Sequence, residues 1–150
     1  MSNSRQLYEQ VIIDHNKKPR NFKALEGEHH RCEGYNPLCG DQFTVYVKLN
    51  GDLIEDIGFT GDGCAISKSA ASVMTTIVKG KTIAEARALF RRYHSMVTAP
   101  AGRDVNTDDL GKLRVFSGVR EFPIRIKCAT LPWHTLAGAL ENKAEAVSTE

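Results

Sequence analysis

The chain has 150 residues, 41% hydrophobic and 25% charged, which suits one soluble globular domain spanning 1–150 that buries its core without covalent staples. A formal charge of +2, with no long basic run, argues against a nucleic-acid partner. No stretch approaches the ~18 apolar residues of a membrane span, and the opening "MSNSRQLYEQ" lacks the apolar stretch of a secretory leader, so the expected location is the cytoplasm.

In chain order, residues 5–18 read as an amphipathic helix with Leu7, Val11 and Ile12 at helical spacing, stopped by Pro19. The cluster Lys17, Lys18 and Arg20 reads as a solvated helix end. Residues 21–36 are polar, and a strand within 24–35 is expected to pair with the hairpin that follows. That hairpin is strongly marked. Phe43, Val45, Val47 and Leu49 alternate, Asn50-Gly51 suits a type I′ turn, and Ile57 and Phe59 resume on the return strand.

"TGDGCAISKSAASVM" then breaks the strand and opens a helix with Ala70, Val73, Met74 and Ile77 on one face and Gly80 at its end. Thr82 and Glu85 form a capping box before a helix carrying Ile83, Ala86, Leu89, Phe90 and Tyr93 inward. Residues 98–106 read as a loop, and "TDDLGKLRVFSGV" as a short helix with acids in its first turn. Trp133, Leu136, Ala137 and Leu140 mark a last helix. Pro132 fits its first turn, where a missing N–H costs nothing, and Cys128 then falls just before the helix. Residues 143–150 read as a frayed tail. Strands gathered early and helices late predict an α+β fold, a small antiparallel sheet of about three strands packed by helices.

The chemistry concentrates in four cysteines, Cys32, Cys39, Cys64 and Cys128. Cytosolic disulfides are not expected, and no C-x-x-C pair announces a zinc finger or a thioredoxin-like site. Cys32, between Arg31 and Glu33, reads as a small hydrophobe or an inert surface thiol. The other three sit beside bend-forming residues. Cys39 lies in "YNPLCGDQF" with Asp41 two residues on, and Cys64 precedes a helix. A helix N-terminus lowers a thiol pKa, and Arg125 and Lys127 are expected to act on Cys128 in the same direction. A thiolate serves both as metal ligand and as nucleophile. Three sulfurs and the Asp41 carboxylate suit tetrahedral zinc, although spacing alone leaves a shared site and separate thiols equally open. His15, His29 and His30 read as packing or surface histidines, and His94 and His134 as solvent-facing. Gly61-Asp62-Gly63 lacks the lysine and hydroxyl of a phosphate loop.

Taken together, "NPLCGD", "GDGCAIS" and "RIKCATLPW" resemble the U-type iron–sulfur cluster assembly proteins, and the resemblance runs from "LYEQVIIDHNKKPRNF" to the last helix. The scaffold branch of that family, IscU, carries a histidine before the third cysteine and a Leu-Pro-Pro-Val-Lys motif upstream. Here Lys127 and "EFPIRIK" stand in those places, with an extra stretch of about twenty residues around 99–119. These features resemble the SufU branch. The resemblance implies a SufE/NifU-like fold and zinc held by Cys39, Asp41, Cys64 and Cys128. It also implies that Cys39 accepts persulfide sulfur from a SufS-type cysteine desulfurase, for delivery to downstream iron–sulfur assembly proteins. In the family picture a histidine of the desulfurase replaces one thiolate on the metal, and Arg125 steadies the freed sulfur. Two alternatives stay open: a scaffold holding a transient iron–sulfur cluster or iron on the same cysteines, and a structural zinc module.

Overall fold

A computed structural model describes residues 2–100, 102–142 and 145–149. The first helix, α1 (Ser2–Lys17), ends before Pro19 as its sequence pattern requires. Beyond it Arg20 is tied down. Its guanidinium meets Asp14 at 2.6 Å and its backbone N–H donates to Ser72 Oγ.

Three strands follow, β1 (His30–Asn36), β2 (Asp41–Asn50) and β3 (Leu53–Asp62), paired antiparallel in sequence. The alternation read from the sequence sets the buried face: Phe43, Val45 and Val47 of β2 and Ile57 and Phe59 of β3 are fully enclosed. The β2–β3 turn differs from expectation by one residue. Asn50 pairs with Leu53, so the central residues are Gly51 and Asp52, and of these only Gly51 has positive φ (64°). A type I′ turn needs positive φ at both positions, so the left-handed demand falls on one glycine instead. A register shift after Lys48 absorbs the offset.

A fourth strand, β4 (Val147–Ser148), pairs parallel with β1 and gives the order β3-β2-β1-β4. The expected frayed tail is thus anchored at 147–148, while 143, 144 and 150 of that tail, and 101 of the expected 98–106 loop, lie outside the described residues. Two residues carry too little alternation to announce a strand. β4 exists because the β1 edge offers unpaired backbone groups.

α2 (Ala65–Val78) and α3 (Ile83–Thr98) fall where their caps place them, and the Thr82–Glu85 capping box is formed in both directions. "GKLRVFSGVRE" is a 3₁₀ helix over Gly111–Glu121, with Asp108 and Asp109 ahead of it and no acid in its first turn. Its Leu113 and Phe116 are fully enclosed.

The largest departure concerns α4, which runs over Pro123–Leu140. Pro123, not Pro132, occupies the first turn, and Pro132 lies inside the helix. A proline there removes one helical N–H, the one that residue 128's carbonyl would accept. Burial outweighs that loss, because Ala129, Leu131, Trp133, Leu136 and Ala139 are enclosed against the sheet and neighbouring helices. Trp133 stacks on Phe90 and Tyr93 of α3 at 5.8 and 5.4 Å between ring centroids. His134, expected in solvent, packs edge-on to Phe90 at 5.0 Å, and its burial lowers its pKa. Cys128 therefore sits in the second turn of α4 and not ahead of a helix.

Candidate metal centre

Two chain reversals and one helix converge at one end of the sheet. β1 and β2 are closed by the pair Asn36–Asp41, and the intervening Pro37-Leu38-Cys39-Gly40 makes the turn. The Cys39 N–H donates to the Asn36 carbonyl at 3.2 Å, and Gly40 takes φ of 72°, a left-handed value that a side chain would oppose. Cys39 is half-buried at the tip beside Leu38, which is 63% exposed. Asp41, the first residue of β2, is buried at 2% exposure.

Beyond β3, Cys64 is the N-cap of α2. Its sulfur accepts from the Ser67 N–H at 3.5 Å and lies equally far from the Ser67 hydroxyl. Gly63 makes this corner possible. A Cβ there would stand 2.6 Å from both Asp41 Oδ1 and Ser67 Oγ, closer than any side chain tolerates. Cys128 enters from α4 and is buried.

The sulfurs of Cys39 and Cys128 are 3.2 Å apart. With an Asp41 oxygen they form a group whose donor atoms all lie within 4.8 Å of one another. The Asp41 carboxylate is gripped on both oxygens: Oδ1 accepts from the Cys64 N–H at 2.9 Å and Oδ2 from Asn36 Nδ2 at 3.5 Å. Asn36 Nδ2 also donates to Cys128 Sγ at 3.4 Å. Of the four sequence candidates, the fold brings three into this tight group. Cys64 stands at its edge, its sulfur shared between its own helix cap and the Cys128 thiol.

The electrostatics reverse one expectation. Cys64 has its pKa lowered to about 6, chiefly because the Cys128 thiol donates to it, with Ser67 adding its hydroxyl and N–H against the opposing effect of burial. The Cys128 thiol is pushed up, first by that same bond to Cys64 and then by burial and its contact with Cys39. Arg125 and Lys127 do not lower it, because position 128 is inside a helix and faces sulfurs, not a helix N-terminus.

Arg125 lies elsewhere than the sequence suggested. Its guanidinium sits 4.7 Å over the Phe122 ring at the rim of a 440 Å³ groove that Tyr8, Ile12 and Ile66 also line. Among the described residues it has no hydrogen bond or ion pair with Cys39, Asp41, Cys64 or Cys128. The histidines are spent on other contacts or lie away from the sulfurs. His15 is buried against Ser72 Oγ at 2.7 Å and His29 bonds the Gly27 carbonyl. Cys32 is a core residue at 3% exposure, the small hydrophobe of its two readings and not a surface thiol. Sequence reasoning missed Asn36 and Ser67, since an Asn before Pro signals only a bend.

The donor set fits zinc. Two sulfurs and a carboxylate oxygen already converge, a third sulfur adjoins, and a tetrahedral site with Zn–S near 2.3 Å wants sulfurs about 3.8 Å apart. Cys39 and Cys128 are close enough that a small separation admits an ion.

The NifU-like N terminal domain matches residues 7–129. The zinc-dependent sulfurtransferase SufU of Bacillus subtilis is 43% identical over 130 residues, covering 87% of this chain and 86% of its own. The iron–sulfur cluster assembly scaffold protein IscU of Streptococcus pyogenes is 40% identical over 149 residues, covering 97% and 90%. Among solved structures, a proposed iron–sulfur cluster assembly scaffold protein for the SUF system, from Fervidobacterium islandicum AW-1, superposes with a TM-score of 0.81 at 36% identity, covering 91% of this chain and 98% of its own. A NifU-like N-terminal protein from Brucella abortus shares the fold, at a TM-score of 0.76 and 22% identity.

Proposed function

We propose that this chain, which belongs to the NifU-like N-terminal domain family, is a zinc-binding sulfur-transfer protein of iron–sulfur cluster assembly. Cys39 is its acceptor thiol, and a SufS-type cysteine desulfurase is its sulfur donor. The observation that carries the reading is the position of Cys39, a half-buried sulfur on a turn tip in contact with a buried thiol and close to a buried carboxylate. Zinc is assigned to Cys39, Asp41, Cys64 and Cys128, and it would keep the thiolates deprotonated at neutral pH without redox chemistry of its own.

In the transfer, the Cys39 thiolate attacks the outer sulfur of the donor's persulfide. The donor's S–S bond breaks, a new one forms on Cys39, and the donor cysteine leaves as thiolate, so no net oxidation occurs. Gly40 lets the tip turn toward a partner, and exposed Leu38 offers it an apolar contact. Asp41, Cys64 and Cys128 remain fixed by β2, the α2 cap and α4. Arg125, one helical turn before Cys128, is assigned to steady the freed sulfur, which requires it to swing off Phe122.

The test is incubation with a desulfurase and cysteine, tracking mass on each thiol and metal per chain. About one zinc per chain, a sulfur adduct on Cys39 and faster desulfurase turnover are expected. The scaffold reading, favoured by the name of the Streptococcus relative, predicts instead stable iron and sulfide uptake without stimulation. Zinc retained with Cys39 unmodified would leave a structural zinc module.

A further inference from the structure

Asn36 has no exposed surface, and its amide sits among the candidate ligands. Its Nδ2 points at Asp41 Oδ2 and at Cys128 Sγ, while its backbone carbonyl accepts from the Cys39 N–H. One residue therefore touches three of the four candidate ligand residues, but in two different ways. Asp41 and Cys128 are held through their ligand atoms. Asn36 holds Cys39 only through the backbone, and among the described residues the Cys39 sulfur meets the Cys128 thiol but receives no N–H.

The orientation of the amide follows from its partners. A carboxylate oxygen accepts, so the NH₂ group must face Asp41, and its second N–H then falls to the Cys128 sulfur. The consequence is a buried Asn36 Oδ1 with no hydrogen-bond partner. A residue serving only the fold would gain nothing from leaving that oxygen unpaired. The unpaired oxygen is the cost of aiming both donors at the cluster.

We propose that Asn36 is a positioning residue that separates resident from exchangeable ligands. Its two N–H donors hold the Asp41 carboxylate and the Cys128 sulfur in place and leave Cys39 the one free to depart. The assignment rests on the zinc reading above. N–H bonds to a ligand atom fix its direction and stabilise its deprotonated form, and such outer partners carry a large share of metal affinity.

The test uses the full chain loaded with Zn²⁺, the wild type alongside Asn36→Asp and Asn36→Ala. Asn36→Asp keeps the shape and removes the donors. Chelator competition measures Zn²⁺ affinity, and timed alkylation with mass analysis measures the rate at each thiol. In the wild type Cys39 should be alkylated well ahead of Cys128. Both variants should lose roughly 10- to 100-fold in Zn²⁺ affinity, and Cys128 should approach the Cys39 rate. Val47→Ala, a core change that lowers stability without touching the cluster, should keep the wild-type order of thiols.

Should both variants fail to fold, the wild type still decides. Its Asn36 side-chain amide resonances should shift and exchange slowly on Zn²⁺ loading, and resonances indifferent to Zn²⁺ overturn the proposal. Folded variants with wild-type affinity and thiol order overturn the role of Asn36 alone. A wild type that takes up no Zn²⁺ overturns the metal reading and this assignment with it.

Discussion

The three clustered thiols are held in two distinct ways. Cys64 and Cys128 belong to helices: one caps α2, the other sits in the second turn of α4. Cys39 belongs to a four-residue turn, with a left-handed glycine on one side and an exposed leucine on the other. Moving a helical sulfur means breaking a cap or unwinding a buried helix. Moving Cys39 means adjusting a few turn dihedrals. The difference teaches that a sulfur's freedom to react is set by the element carrying it, even where the sulfurs touch one another.

The strongest way to break this contrast is to remove the thiols one at a time. Cys39→Ser should abolish sulfur transfer, by at least roughly 100-fold, while melting temperature changes little; Cys128→Ala should abolish metal retention instead. Equal loss of metal in both variants, by metal analysis, would make the two sulfurs equivalent. Next in size is Gly63→Ala, which drives a methyl toward Asp41 Oδ1 and Ser67 Oγ. About 1–3 kcal/mol of stability should be lost, read by denaturant unfolding, together with weaker Zn²⁺ binding. An unchanged midpoint would mean that this corner is looser than its distances imply.

A pH titration sharpens the helical side. In metal-free protein the Cys64 thiolate should form at about pH 6, well below an ordinary thiol, and ultraviolet absorbance of the thiolate follows it. Ser67→Ala removes the hydroxyl that helps hold that charge, so the midpoint should move up. A midpoint at the ordinary thiol value would discard the assigned hydrogen bonds.

The smallest effect tests the middle of α2, where Ser72 and not a thiol is the anchor. Burial lowers the His15 pKa below its ordinary 6.5, with Arg20 and Lys112 adding in the same direction and Asp14 opposing. The folded state thus favours the neutral ring. This stability is fully present above pH 6.5 and is lost as pH falls below it, because the unfolded chain takes up the proton first. His15→Gln should flatten that slope in denaturant midpoints while leaving thiol chemistry unchanged. A slope that survives the substitution assigns the effect elsewhere.

Much of this was legible in order along the chain. Alternation fixed β2 and β3, the Thr82–Glu85 pair fixed the start of α3, and the bend at Pro37–Gly40 put Cys39 on a tip. The errors share one cause. Local rules place Pro132 at a helix start because they count the lost N–H and cannot count the burial around Ala129, Leu131 and Trp133. β4 was missed because two residues become a strand only beside the β1 edge. Asn50-Gly51 gave the right hairpin with the wrong turn residues, since a register shift in β3 lies beyond a dipeptide's reach.

Local sequence was enough to single out Cys39, Asp41, Cys64 and Cys128 as candidates for chemistry, along with most of the helices and strands near them. Those choices depend on spacings of two to four residues. Packing settled which of them meet, that Cys64 stands at the edge of the group, that Arg125 rests on Phe122, and that Asn36 faces the site. The reason is range. The Asn36–Cys128 bond joins residues 92 positions apart, and no local pattern encodes a contact that exists only once sheet and helix have packed.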